Sequence, residues 1–392
     1  MKINRPKSTK TQIVKGQPSW RLKCGNIEAF VTRAGGQLGP VVFKSGGKRI
    51  DPFSVAPWAG EKLPPATPPI IRVLRGDFFC MPFGSNATRF RGERHPLHGQ
   101  TANDDWTLES LNSSRGETTL HLSMATTIRQ GRVDKTITLK EGQPVVYCRH
   151  IVSKMSGPMT FGHHAMLKFP DEAGSGMLST SRFLHGQVFP GEFENPELGG
   201  YSSLRRGAAF SKLARVPRSD GTMADLTRYP ARLGFEDLVM LHSDATQPMA
   251  WSAVSFPKQR YVWFALKDPR VLRQTILWHS NRGRHYAPWS SRHVGVLGVE
   301  DITGYFHYGL AESCKSNPYS TRGYPTCVAF KNGNPVTVNY IMGCIATPPG
   351  FDEVRRIQVA PGEKSIKLIS AGGKTISAAV DIGFLSGGPR AG

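Results

Sequence analysis

The sequence predicts an all-β protein, folded as one large antiparallel β-sandwich. Three observations carry this expectation. Short segments rich in Val, Ile, Phe, Tyr and Trp recur along the chain, each bounded by Gly, Pro, Asn or Asp. The 392 residues include 42 glycines and 29 prolines, which break helices and suit many turns. No respectable stretch repeats apolar residues at the helical period, and no propeller-like repeat recurs.

Taken in order, Thr119-Leu120-His121-Leu122-Ser123-Met124 alternates as a half-buried strand does. Residues 132–139 follow the turn at Gly131, and residues 144–148 begin a strand after Gly142. Residues 161–169 form the strand that carries His163 and His164. Further strands are expected at 238–242, 249–256, 261–266, 275–279 and 294–300, then at 336–342, 354–359, 365–369 and 375–382. Residues 171–227, rich in Gly, Ser, Pro and Arg, read as long loops and a candidate wall of a binding cleft. No linker divides the chain. Residues 1–24 are expected as an N-terminal extension, 25–385 as a single domain and 386–392 as a flexible tail.

Composition narrows the function. The formal net charge is +21, yet the basic residues are dispersed, with Arg205-Arg206 and Arg355-Arg356 the densest spots. Without a basic run or a nucleic-acid fold signature, the charge describes a surface that favours anionic ligands rather than a nucleic-acid site. The six cysteines show no C-x-x-C spacing and read as ordinary buried thiols. No secretory h-region and no membrane-length apolar run are visible, so a reduced, cytoplasmic compartment is expected. Nothing in the sequence sets the oligomeric state.

The groups able to move protons lie on strand-like segments. Alternation along residues 161–169 puts Phe161, His163, Ala165 and Leu167 on one face, and Gly162, His164, Met166 and Lys168 on the other. His164 is therefore the imidazole expected to face a polar cleft. The H-x-H spacing of a two-histidine metal grip is absent, and His95 and His98 point to opposite faces if extended. No catalytic metal is expected.

Arg75-Gly76-Asp77-Phe78-Phe79-Cys80-Met81-Pro82-Phe83-Gly84 resembles a segment of the aldose 1-epimerase (galactose mutarotase-like) superfamily, specifically its glucose-6-phosphate 1-epimerase branch. His98-Gly99, Asn103 and Trp106 resemble that branch's His-Gly…Trp motif. Val133–Leu139 with Gly142-Gln143-Pro144 is similar to its central strand pair. Gly162-His163-His164-Ala165-Met166-Leu167 resembles the segment with its second histidine, and Pro288-Trp289 through Glu300 the region of its catalytic glutamate. Ala360-Pro361-Gly362-Glu363 is similar to a turn near its C-terminus. Asp77 replaces a glycine of that pattern, Ala165 and Met166 replace Pro-Tyr, and Asp301 stands where proline is common.

The resemblance implies interconversion of the anomers of a hexose or sugar phosphate by acid/base ring opening, without a cofactor. It implies Glu300 as base, His164 as acid and His98 as a donor polarising the ring oxygen. Arg75 would bind hydroxyls or an anionic group, Asp237 would bind the sugar, and Asn103 and Trp106 would complete the site. Each has a structural alternative: a strand-end salt bridge for Glu300, a loop hydrogen bond for His98, a core position for Trp106. Two other functions use the same fold, a carbohydrate-binding protein without turnover and a lyase acting on an anionic sugar.

Overall fold

The computed structural model describes residues 10–331 and 333–387. Strands make up 48% and helices 7%, far below the roughly one-third helix of an average globular chain. The all-β expectation holds. Two large antiparallel sheets face each other. One has nine strands, running from Arg228–Tyr229 at one edge through Tyr261–Lys267, Val336–Ala346 and Val145–Ser153 to Thr107–Ser114 at the other. The other has eight, in which Phe235–Ser243, Gln274–Asn281, Val296–Thr303 and Phe161–His163 lie side by side.

Alternation assigns the faces. Val239, Leu241, Leu277, Leu297 and Val299 of the eight-stranded sheet meet Trp263, Tyr340, Ile137 and Leu120 of the nine-stranded sheet in one apolar core. Their sequence neighbours Leu238, Met240, Ile276 and Trp278 point outward, beneath loops carrying Trp58, Leu74, Trp289 and Tyr319. The eight-stranded sheet is thus covered on both faces, which explains why Leu238-Val239-Met240-Leu241 is a continuous apolar run. The three C-terminal strands, Val354–Val359, Ser365–Ser370 and Thr375–Ala379, cover the nine-stranded sheet from outside, with Ile357 and Leu368 against Tyr147 and Phe264.

Several boundaries differ from expectation. Residues 12–24 are no extension: Gln12–Val14 and Gln17–Cys24 pair into a five-stranded sheet, and Trp20 and Leu22 enter the main core. Within 171–227, Gly176–Thr180 and Phe183–Val188 are strands of the two large sheets. At the other end Gly383–Ser386 is a short helix, and residues 388–392 lie outside the described residues. No helix among the described residues is long and apolar enough to cross a membrane.

Candidate active site

The expected strand at 161–169 carries both register and chemistry. Its ladder is interrupted at His164, leaving Phe161–His163 and Ala165–Lys168, but both pieces pair with Val296–Thr303 in one unchanged register. At the interruption, the His164 amide donates to the Phe78 carbonyl at 3.0 Å instead. Unbroken register keeps side-chain parity. His164 therefore stands opposite Glu300 on the outer face, with His164 Nε2 and Glu300 Oε1 3.4 Å apart. His163 points into the core between the sheets, where its Nδ1 meets Asp77 Oδ2 at 2.8 Å.

Glu300 is placed by its own strand and its neighbours. Ile276 pairs across from it, and Trp278 lies one step along the same face, opposite Gly298. A Cβ on Gly298 would come within 3.0 Å of Glu300 Oε1 and 3.1 Å of Trp278 Cβ. Gly298→Ala is accordingly expected to displace the carboxylate or the indole, lowering turnover more than stability. Comparing kcat with the thermal midpoint of this variant tests the point.

His98 comes from a loop. Its backbone is left-handed (φ 58°), a strained conformation for a residue other than glycine. The loop is pinned by its amide donating to the Gly84 carbonyl at 2.7 Å and by Asn103, whose Nδ2 donates to the Leu97 and Gly99 carbonyls at 2.7 and 2.8 Å. The Gly84 amide donates to His98 Nδ1 at 3.4 Å. That contact assigns the ring proton to Nε2. The ring lies edge-on to His164, with centroids 5.1 Å apart.

These three side chains line one cavity of about 520 Å³, within the usual range for small-molecule sites. Its walls are the segment 64–74, which includes the short helix Pro69–Val73, with Phe78, Leu97, Phe193, Trp278 and the segment 284–289. Phe78 stacks on the His164 ring at 4.5 Å. Burial dominates the electrostatics. It pushes the Glu300 carboxyl well above its ordinary pKa, against the opposing effect of Arg284. It holds His164 down to about 3, helped by His307, and His98 well below its ordinary value. Burial thus opposes charge on all three groups, favouring the protonated carboxyl and the neutral imidazoles.

Two cavity residues carry no sequence motif. His307 follows the Glu300 strand and lies 4.9 Å from His98 between ring centroids. Burial and then Arg284 lower it to about 4. Arg284 follows the Trp278 strand and donates from Nε to Glu194 Oε1 at 2.6 Å, with its guanidinium 4.4 Å from the Trp289 ring. Behind them, Glu236 accepts from Trp278 Nε1 at 2.9 Å and from the Gly283 amide at 3.1 Å. Burial raises its carboxyl to about 7. Their position just beyond strand ends is the one available signal, because functional loops gather there.

The remaining expected site residues do not line the cavity. Arg75 is fully buried, donating from Nε to the Val73 carbonyl and from Nη1 and Nη2 to the Val14 and Lys15 carbonyls, all at 2.8 Å. It fastens the N-terminal strands. Asp237 points to the opposite face from Glu236, accepting from the Ser203 and Leu204 amides and from Arg232 Nε at 2.8–2.9 Å. Asn103 positions the His98 loop. Trp106 is a core residue, its Nε1 donating to the Thr101 carbonyl at 3.0 Å. Arg75→Ala removes three hydrogen bonds, one of them to the buried Val73 carbonyl, at about 1 kcal/mol each, together with the packing of a large buried side chain. It is expected to lower stability by roughly 3–5 kcal/mol and leave ligand affinity unchanged, as denaturant melts and binding titrations would show.

The departures from the motif pattern also fall outside the cavity. Asp77 is the partner of His163, and Asp301 accepts from Lys267 Nζ and Thr275 Oγ1 at 2.6 Å and from the Tyr340 hydroxyl at 2.8 Å. Ala165 and Met166 fill the two apolar clusters either side of the sheet. Among the described residues, no three His, Cys, Asp or Glu side chains converge as metal ligands would.

The same architecture occurs in solved structures. A galactose mutarotase-like protein from Clostridium acetobutylicum superposes with a TM-score of 0.57 at 10% identity, over 86% of this chain and 98% of that one. The fold is galactose mutarotase-like. A candidate aldose 1-epimerase from Escherichia coli K12 matches with a TM-score of 0.58 at 11% identity, over 84% of this chain and all of the other. A galactose mutarotase related enzyme from Lactobacillus acidophilus gives 0.53 at 12%, over 86% and all of the other. No family model and no curated protein matches the chain. The mutarotase-like likeness therefore establishes architecture, and the site's chemistry rests on its own geometry.

Proposed function

We propose that this mutarotase-like protein interconverts the anomers of an aldose by acid/base ring opening. The observation that carries the reading is the His164–Glu300 pair, 3.4 Å apart on one cavity wall with His98 beside it. Ring opening needs one group to take the anomeric hydroxyl proton and another to protonate the ring oxygen. A neutral imidazole and a protonated carboxyl supply both. The directions of their pKa shifts favour His164 as the base and Glu300 as the acid, the reverse of the assignment implied by the motif resemblance. The His98 Nε2–H donates to a sugar oxygen. Rotation about the C1–C2 bond and reclosure return both protons, so each turnover ends in the starting state. Arg284 offers the donors left free by Glu194.

The test is magnetisation-exchange NMR on anomeric mixtures of aldoses, sugar phosphates and uronates. Exchange faster than the spontaneous rate for at least one sugar supports the reading. Binding of a sugar without faster exchange would make the protein a carbohydrate-binding module. An unsaturated product absorbing in the ultraviolet would make it a lyase.

A further inference from the structure

The expectation of six ordinary buried thiols fails at two positions. Cys24, Cys80, Cys148 and Cys344 are buried, whereas Cys314 and Cys327 are half-exposed. Cys314 ends the short helix Leu310–Cys314, and Cys327 precedes the strand Val328–Phe330. Their neighbours hold these ends side by side. Thr326 Oγ1 donates to the Ser313 carbonyl at 2.7 Å, and Asn317 Nδ2 donates to Thr326 Oγ1 at 2.9 Å. Both thiols line one surface hollow of about 440 Å³.

Their surroundings make the two thiols unequal. The Arg273 guanidinium stands beside Cys327, with Nη1 donating to its carbonyl at 3.3 Å. The neighbouring Cys314 thiol and then this charge pull Cys327 below the ordinary thiol value, whereas Cys314 is pushed up by Cys327 and by burial. The thiolate is the nucleophile of thiol chemistry, so Cys327 is the reactive member. Among the described residues, no third His, Cys, Asp or Glu joins the pair to complete a metal site. The hollow is also open to small oxidants from solvent, unlike the four buried thiols.

We propose that Cys327 and Cys314 form an oxidant-responsive pair that closes to an intramolecular disulfide. The Cys327 thiolate attacks a hydroperoxide oxygen, forming an S–O bond as the O–O bond breaks, and the leaving oxygen departs as water or alcohol after protonation. The Cys314 thiol then attacks Cys327 Sγ, forming the S–S bond and expelling the sulfenic oxygen as water. Two thiols lose two protons and two electrons, and with hydrogen peroxide the balance is one disulfide and two waters. The bridge would close the segment 315–326, which includes Tyr319, whose hydroxyl donates to the Met240 carbonyl at 2.9 Å under the outer core.

The test uses the whole protein, treated with hydrogen peroxide, blocked with a thiol alkylator, then denatured and digested with trypsin without reductant. Lys315 and Arg322 lie between the two cysteines, so their peptides separate unless a disulfide joins them. The expected product is one cross-linked peptide pair that falls apart on reduction. Cys314→Ser should lose the cross-link and leave a Cys327 sulfenic acid that dimedone traps, and Cys327→Ser should lose both. Without oxidant, Cys327 should be alkylated at least about tenfold faster than the four buried thiols. A disulfide between other cysteines of the folded protein, dimedone labelling at Cys314 in preference to Cys327, or no bridge in the wild type would each overturn the proposal.

Discussion

Glu300→Gln is expected to slow anomer exchange by about a hundredfold or more, the usual scale for losing a positioned proton-transfer group. The amide matches the carboxyl in size, and the neighbours Ile276, Trp278 and Gly298 keep their packing. Sugar affinity should therefore survive while kcat falls, a split visible by combining exchange NMR with a binding titration. His164→Gln should produce a similar loss, and the double variant should be less than additive because both groups serve one relay. The pH profile identifies which group holds the resting proton. With Glu300 as acid, turnover falls as pH rises through its raised pKa. If Glu300→Gln keeps the full rate on a sugar that the wild type turns over, the pair is not the catalytic device.

Acid is expected to unfold the protein earlier than its carboxylates alone would dictate. Burial holds His164 and His293 down to about 3 and His307 to about 4, and pushes His98, His150 and His279 well below their ordinary value. In the unfolded chain each binds a proton near pH 6.5. Their folded pKa values are depressed, so the stability they contribute is present above pH 6.5 and is lost as pH falls. At 1.36 kcal/mol per unit, each loses about 2 kcal/mol between neutrality and pH 5. Three such residues then remove ~6 kcal/mol, comparable with a typical total stability of about 5–15 kcal/mol. Glu236 and Glu300 work in the opposite sense, because their raised carboxyls gain protons in the fold first. The histidines outnumber them. Thermal melts from pH 8 to pH 4.5 should show a steep fall below pH 6, and a flat profile would mean that the buried imidazoles are not held neutral.

The fold was legible because short alternating strands leave a direct imprint on sequence. The same alternation assigned His164 to the cleft and His163 to the core, and it worked because the interruption at His164 leaves the register intact. One residue of error elsewhere reversed a face: Asp237 was expected at the sugar, yet its neighbour Glu236 stands behind Trp278. Arg75 and Trp106 matched motifs, but a motif does not reveal what surrounds a side chain, and both proved to be sealed by packing. Arg284 and His307 escaped notice because loop residues have no period, and only the folded chain brings them to one cavity. Residues 12–24 are strand because their apolar residues pair with a partner later in the chain.

The double cover on the eight-stranded sheet decides how this molecule can fluctuate. Amides of Val296–Thr303 are laddered on both sides and shielded above and below, so their exchange with deuterium should require global opening. The segments 64–74 and 284–289 have no such ladder and should exchange through small local openings. Reactivity and selectivity thereby reside in parts with different lifetimes. Drift in the rim sequence could retune which molecule enters without loosening the strands that carry His164 and Glu300.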